Sequence, residues 1–228
     1  MEDFSWPESP SRTAFPIARP GYPLMGAAAF ITLVLALLGL TLPALLGLAV
    51  TFAVCGFFRD PDRVIPTQAG AVVSPADGRV IVVEKVVGGP GFTDERLKIS
   101  IFMSVFNVHV NRAPAAGRIE RIHYRPGRFV PADRGEASLR NEHNAVTLET
   151  DDGRQICFVQ IAGLIARRII CNVQPGDRVL RGQRFGMICF GSRLDVYLPP
   201  DTPPGVRLGD RATAGATILG TLPETGPR

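Results

Sequence analysis

The chain has 228 residues, enough for one sizeable core with an appendage. Its net charge of +4 and pI of about 9.2 come almost wholly from arginine, because Lys85 and Lys98 are the only lysines. No dense basic run alternates with aromatics, which argues against nucleic acid as a partner; such charge suits an anionic membrane surface or an anionic substrate.

Residues 1–20, with Pro7, Pro10, Pro16 and Pro20, read as a mobile tail. Residues 21–58 then carry no charge at all. The run is too long for a signal-peptide core and shows no small-residue cleavage site. Gly39, Thr41 and Pro43 interrupt it, so the pattern predicts two helices, 23–40 and 43–58, joined by a tight turn. Each would be about 25 Å long at about 1.5 Å per residue, slightly short of a bilayer core of about 30 Å. A membrane-associated hairpin, spanning or shallow, is favoured; a helical hairpin buried in a soluble protein is the alternative. Arg12 and Arg19 precede the run, and Arg59 and Arg63 follow it. Arginine on both flanks places both ends on the cytoplasmic side of a cell membrane.

From residue 59 to 228 the pattern becomes short Val- and Ile-rich runs divided by Gly, Pro and Asp. Strands are expected at 71–74, 79–87, 98–104, 107–112, 117–125, 145–150, 155–161, 167–173, 186–190 and 194–198. The body is therefore expected to be mainly β, a sandwich or barrel-like fold. Pro75-Ala76-Asp77-Gly78-Arg79-Val80 is echoed loosely by Pro175-Gly176-Asp177-Arg178-Val179, like the half-motifs of lipoyl and biotinyl carriers. A carrier needs a lysine in a hairpin turn, and none lies beyond Lys98, so carrier function is disfavoured. The stretch from Arg125 to Asn144 has little periodicity and holds Arg125, Arg128, Arg134 and Arg140. It reads either as a loop meeting phospholipid headgroups or as a solvated surface loop. Cys55, Cys157, Cys171 and Cys189 form no C-x-x-C pair; they read as buried free thiols in a reducing compartment, with neither disulfide nor metal expected.

Gly191-Ser192, between two strand-like runs, could be an ordinary turn. Two distant segments give it another meaning: Ser74-Pro75-Ala76-Asp77-Gly78 and Asn107-Val108-His109-Val110-Asn111-Arg112. Together the three supply a hydroxyl, an imidazole and a carboxylate, the parts of a nucleophile–base–orienter triad.

Phe57-Phe58-Arg59-Asp60-Pro61, Ser74-Pro75-Ala76-Asp77-Gly78, Asn107-Val108-His109, Pro126-Gly127, Asn141-Glu142 and Phe190-Gly191-Ser192 follow one another in the order found in phosphatidylserine decarboxylase proenzymes. The chain resembles the short bacterial and archaeal form of that family over about residues 50–200. The resemblance implies a membrane-bound carboxy-lyase that converts phosphatidylserine to phosphatidylethanolamine. It implies self-cleavage at Gly191-Ser192 into subunits 1–191 and 192–228, with Ser192 becoming a pyruvoyl group, and a dimer of such pairs. His109 would take the Ser192 hydroxyl proton and Asp77 would stabilise the imidazolium. The pyruvoyl ketone would then accept the substrate amine and the electrons released with carbon dioxide. Longer bacterial members carry a second histidine three residues before the one matching His109; here Phe106 stands there. The proton donor in decarboxylation is thus left among His143, His109 and water, with Asn141 and His143 as possible substrate-loop residues and His123 structural. Decarboxylation of a related serine-headed lipid and a non-catalytic, membrane-tethered binding module are the competing readings.

Overall fold

The structure is a computed structural model that describes residues 4–5, 16–133, 135–164, 168–189 and 191–223. The chain divides into two compact units, one of residues 10–62 and one of residues 1–9 with 63–228.

The first unit is a helical hairpin of α1 (Tyr22–Leu37) and α2 (Thr41–Phe57). A proline opens α1, where its missing N–H costs nothing. Gly39 closes it at φ 72°: the Leu40 N–H donates to the Leu35 carbonyl and the Gly39 N–H to that of Ala36, both at 3.0 Å. This left-handed cap ends the helix at Leu37, three residues before the expected boundary. Phe30, Leu37, Leu42 and Phe52 are exposed, so neither helix offers water a polar face. The stretch Arg19–Leu37, 19 residues, is long and apolar enough to cross a membrane. The helices meet through small polar groups. Thr32 and Thr51 hydroxyls lie 3.2 Å apart, and each donates to a carbonyl one turn back, Ala28 and Gly47. Gly47 makes room for this, since a Cβ there would come 2.7 Å from Thr32 Oγ1. Helix pairs in lipid pack in this small-residue manner.

The second unit is mainly β. Its largest sheet orders eight strands as β11 (Arg178–Val179), β7 (Gly117–Arg125), β8 (His143–Glu149), β9 (Gln155–Ala162), β13 (Ser192–Leu198), β5 (Phe92–Met103), β4 (Gly78–Gly89) and β14 (Arg211–Ala212). A three-stranded sheet orders β10 (Ile169–Cys171), β12 (Arg184–Ile188) and β6 (Val110–Arg112). Two short pairs complete it: β1 (Phe4–Ser5) with β2 (Ile65–Pro66), and β3 (Ala71–Val73) with β15 (Ile218–Thr221). Most of the stretch expected as a tail lies outside the described residues. The long segment between β7 and β8 carries one helical turn, α3 (Ala137–Arg140).

The two faces of the large sheet differ because strand side chains alternate. Leu97, Ile99, Ile101 and Met103 of β5 join Leu194, Val196 and Leu198 of β13 in the main core. Each such buried side chain contributes about 1.5–3 kcal/mol. The other face holds a smaller cluster of Phe92, Ala137, Ala145, Cys157, Val159, Ile161 and Tyr197. Of the cysteines expected to be buried, only Cys157 is fully so; Cys55 in α2, Cys171 in β10 and Cys189 just past β12 are half-buried.

Candidate functional site

Ser192 is the first residue of β13, where its backbone pairs with Met103 of β5 and Ala162 of β9. It is fully buried, and its hydroxyl has no hydrogen-bond partner among the described residues. A buried hydroxyl without a partner costs free energy, so its persistence calls for a chemical reason. Gly191 precedes it at φ +62°, with open space where a side chain would stand. The conformation, not crowding, therefore calls for glycine there. Phe190 lies outside the described residues.

His109 is fully buried at the residue before β6, and its carbonyl accepts the Ile188 N–H at 3.3 Å. β6 is held over the large sheet by polar side chains. Gln160 Nε2 donates to Asn111 Oδ1 at 2.9 Å and to the Ile170 carbonyl at 3.2 Å, while Asn144 Nδ2 donates to Gln160 Oε1 at 3.1 Å. Asn111 Nδ2 also meets the sulfur of Met103 at 3.8 Å. Met103 is thus a common neighbour, paired with Ser192 on one side and touched by the strand that follows His109 on the other.

Asp77 ends the turn that leads into β4. Ser74 shapes that turn by donating its hydroxyl to the Ala76 carbonyl at 2.7 Å. The Arg112 N–H donates to the Pro75 carbonyl at 3.0 Å, so the segment bearing Asp77 runs beside the segment bearing His109. One oxygen of the Asp77 carboxylate accepts from Arg63 Nη2 at 2.8 Å and the other from the Ala214 N–H at 2.7 Å. A carboxylate has room for about four acceptor contacts, so these two fix its plane without filling it. Asp177, its partner in the sequence echo, instead accepts from the Gln174 N–H of its own turn at 2.9 Å. The two aspartates share a motif but not a surrounding.

A cleft of about 480 Å³ opens beside Asp77, lined also by Arg79, Phe102, Ser104, Asn107 and Arg211. Two guanidinium groups and several hydroxyl or amide donors suit an anionic headgroup. Cys189, close before the Gly191-Ser192 bond, is no rival nucleophile, because burial pushes its thiol pKa up while Arg168 offsets this only in part.

The structure places His143 on the other face of the large sheet and Asn141 against the end of β9. His143 pairs with Ile161, whose side chain belongs to the smaller cluster, so its ring lies on the sheet face away from Ser192. It lines a second cleft, about 620 Å³, with Lys98, His123, Arg125, Ser138 and Tyr197. Asn141 is a clasp: its Nδ2 donates to the carbonyls of Val130 and Ala162, both at 2.7 Å, and its Oδ1 accepts the Val130 N–H at 2.9 Å. The loop arginines Arg125 and Arg128 are exposed, and Arg134 lies outside the described residues.

Arg63, which seats Asp77, was not among the residues picked out by motif; its only sequence signal is a position just past the apolar run. Nor was the buried pair Arg193 and Asp195, although two opposite charges in a strand otherwise apolar are a visible anomaly.

A model of the family described as phosphatidylserine decarboxylase matches residues 50–220. The chain is 49% identical over 207 residues to the phosphatidylserine decarboxylase proenzyme of Desulfotalea psychrophila, an overlap of 91% of this chain and 97% of that one. It is 51% identical over 203 residues to the proenzyme of Nitrosomonas eutropha, covering 89% and 94% of the two chains. It is 50% identical over 209 residues to that of Ralstonia nicotianae, covering 90% and 95%.

Proposed function

Because the chain belongs to the phosphatidylserine decarboxylase family, we propose that it cuts its own backbone between Gly191 and Ser192 and then decarboxylates phosphatidylserine to phosphatidylethanolamine. The observation that carries this is the Ser192 hydroxyl, buried and without a partner among the described residues, directly after a left-handed glycine.

In the first step His109 takes the proton of Ser192 Oγ, and the oxygen attacks the Gly191 carbonyl carbon. Asp77, held by Arg63 and the Ala214 N–H, supplies the negative charge that offsets the imidazolium. The C–N bond breaks as the proton passes to the amine of Ser192, leaving an ester. Loss of the Ser192 α-proton then breaks the Cβ–O bond, and Gly191 leaves as a carboxylate. The dehydroalanine so formed takes up water and releases ammonia, which leaves a pyruvoyl group at position 192.

The site fits such a group. Position 192 is enclosed between Met103 and Ala162, shielded from bulk water. The ketone would supply the electron sink that decarboxylation requires. Arg79 and Arg211 in the cleft beside Asp77 would hold the lipid's anionic headgroup. His109, on the Ser192 side of the sheet, is then a better-placed proton donor than His143 on the other. The two products would stay together, since β13, β14 and β15 all pair with strands that come before the cut.

The hairpin of α1 and α2 would anchor the enzyme in the membrane, with Arg19 and Arg59 keeping its ends on the cytoplasmic side. The test is the intact mass of the purified wild type beside Ser192→Ala. Two fragments from the wild type, the smaller with a blocked amino end at position 192, and one chain from the variant are expected. An uncut wild type that still decarboxylates phosphatidylserine would overturn the reading.

A further inference from the structure

Gly163 follows β9 directly. A Cβ built on it would overlap the carbonyl oxygen of Gly191, closer than real Cβ contacts come, and would lie 3.0 Å from the Gly191 carbonyl carbon. Unlike Gly191, Gly163 has no positive φ, so no left-handed backbone demands glycine there. Glycine is therefore required here for room and at 191 for conformation. We propose, building on the cleavage reading above, that Gly163 is the seat of the scissile carbonyl and that self-cleavage requires a residue without a side chain there.

The asymmetry of the two sides decides what a side chain would do. The Gly163 side is pinned: Asn141 Nδ2 donates to the Ala162 carbonyl at 2.7 Å, and the Ala162 N–H donates to the Glu142 carbonyl at 2.9 Å. Gly191 has more room to yield: it precedes β13, and nothing described lies within 4 Å of its own Cβ position. A methyl at 163 would thus push the Gly191 carbonyl, not the β9 end. The carbonyl carbon would then leave the line of attack from Ser192 Oγ.

The experiment follows cleavage of the full-length chain by intact mass, comparing wild type, Gly163→Ala and Gly135→Ala. Gly135, which has nothing within 4 Å of its Cβ position, serves as the control. Gly163→Ala is expected to slow cleavage by about 100-fold, the scale an ångström of misplacement costs. It should melt at the temperature of the uncut Ser192→Ala precursor. Hydroxylamine, which cuts esters, should release no 192–228 fragment from it, because the fault lies before ester formation. Cleavage at near the wild-type rate, or accumulation of a hydroxylamine-sensitive ester, would overturn the proposal. The same holds if adding Ala132→Gly restores cleavage, because Ala132 Cβ, 3.3 Å from where the new methyl would stand, is the other crowded neighbour. If Gly163→Ala does not fold, a crystal structure of the Ser192→Ala precursor decides: the Gly191 oxygen packed on Gly163 Cα supports the proposal, and any other orientation overturns it. An uncut wild type would instead remove the cleavage reading itself.

Discussion

Arg193 and Asp195, two residues apart on β13, clasp each other in the interior: Nε donates to Oδ1 at 2.6 Å and Nη2 to Oδ2 at 3.0 Å. Both are almost completely buried, on the sheet face opposite Ser192. Ser138 Oγ donates to the Asp195 carboxylate at 3.0 Å and accepts from Arg193 Nη2 at 2.7 Å, and Lys98 Nζ approaches the same carboxylate at 3.5 Å. The first residues of β13 are thereby tied to β5 and to the α3 turn.

Asp195→Ala should therefore be costly, because it leaves the buried Arg193 guanidinium and the half-buried Lys98 ammonium without their shared carboxylate. Removing one partner of a buried ion pair costs about 3–5 kcal/mol. Urea unfolding of the uncut Ser192→Ala chain, with and without Asp195→Ala, measures this. A loss below about 1 kcal/mol, the range of surface pairs, would show that the cluster does not hold β13.

Gly191→Ala should fold, since a methyl there meets nothing. Its φ of +62° should cost about 1–2 kcal/mol and draw the peptide away from its geometry for attack. Gly191→Asn, which tolerates the left-handed region better, should cleave faster than Gly191→Ala. Fragment yield at fixed times gives the order, and the reverse order would mean that side-chain bulk governs this position.

Much of the architecture is legible in the chain. The uncharged run locates both helices, and the Val- and Ile-rich periodicity marks β7 to the residue, from Gly117 to Arg125. β5 begins at Phe92, not 98, because Thr93, Asp94 and Glu95 form the exposed arm of a hairpin that reaches past the core, where no apolar pattern is needed. The expected strand 107–112 shrinks to Val110–Arg112, because Asn107 Oδ1 accepts from the N–H and hydroxyl of Ser104, at 2.9 and 2.8 Å, and closes a turn instead. β11, β14 and β15 are too short to show a period. At the site, chemistry is legible and fit is not. Asp77, His109 and Ser192 stand out by residue type and motif, whereas Gly163 resembles any glycine that ends a strand, and its meaning depends on an oxygen brought from a distant segment.

The two partners of Asp77 differ in what they offer a test. Arg63 fixes one carboxylate oxygen but is only half-buried, so solvent can replace part of its effect. Asp77→Ala should slow self-cleavage by more than about tenfold, and Arg63→Ala should slow it less, with His109→Ala slowest of the three on the scale of about 10²–10⁴ for a lost general base. Half-times from intact mass rank them. Equal half-times for Arg63→Ala and Asp77→Ala would mean that the ion pair, not the carboxylate alone, serves the reaction.

Cys157 gives a prediction in the alkaline range. Its thiol is buried on β9, and burial pushes its pKa up to about 12, with the Thr147 hydrogen bond and nearby Arg121 pulling the other way. In the unfolded chain it titrates at about 8.5. A folded-state pKa above the unfolded one means that its contribution is fully present below about pH 8.5 and is lost as pH rises toward 12, because only the unfolded chain gains by deprotonating. The urea midpoint of the Ser192→Ala precursor should thus fall between pH 9 and 11, and adding Cys157→Ala should flatten that fall. Tyr197, in the same cluster and also raised by burial, supplies a residual slope that the variant keeps. The same burial should leave Cys157 unmodified by iodoacetamide at neutral pH while half-buried Cys171 reacts, and rapid alkylation of Cys157 in the native protein would contradict both expectations.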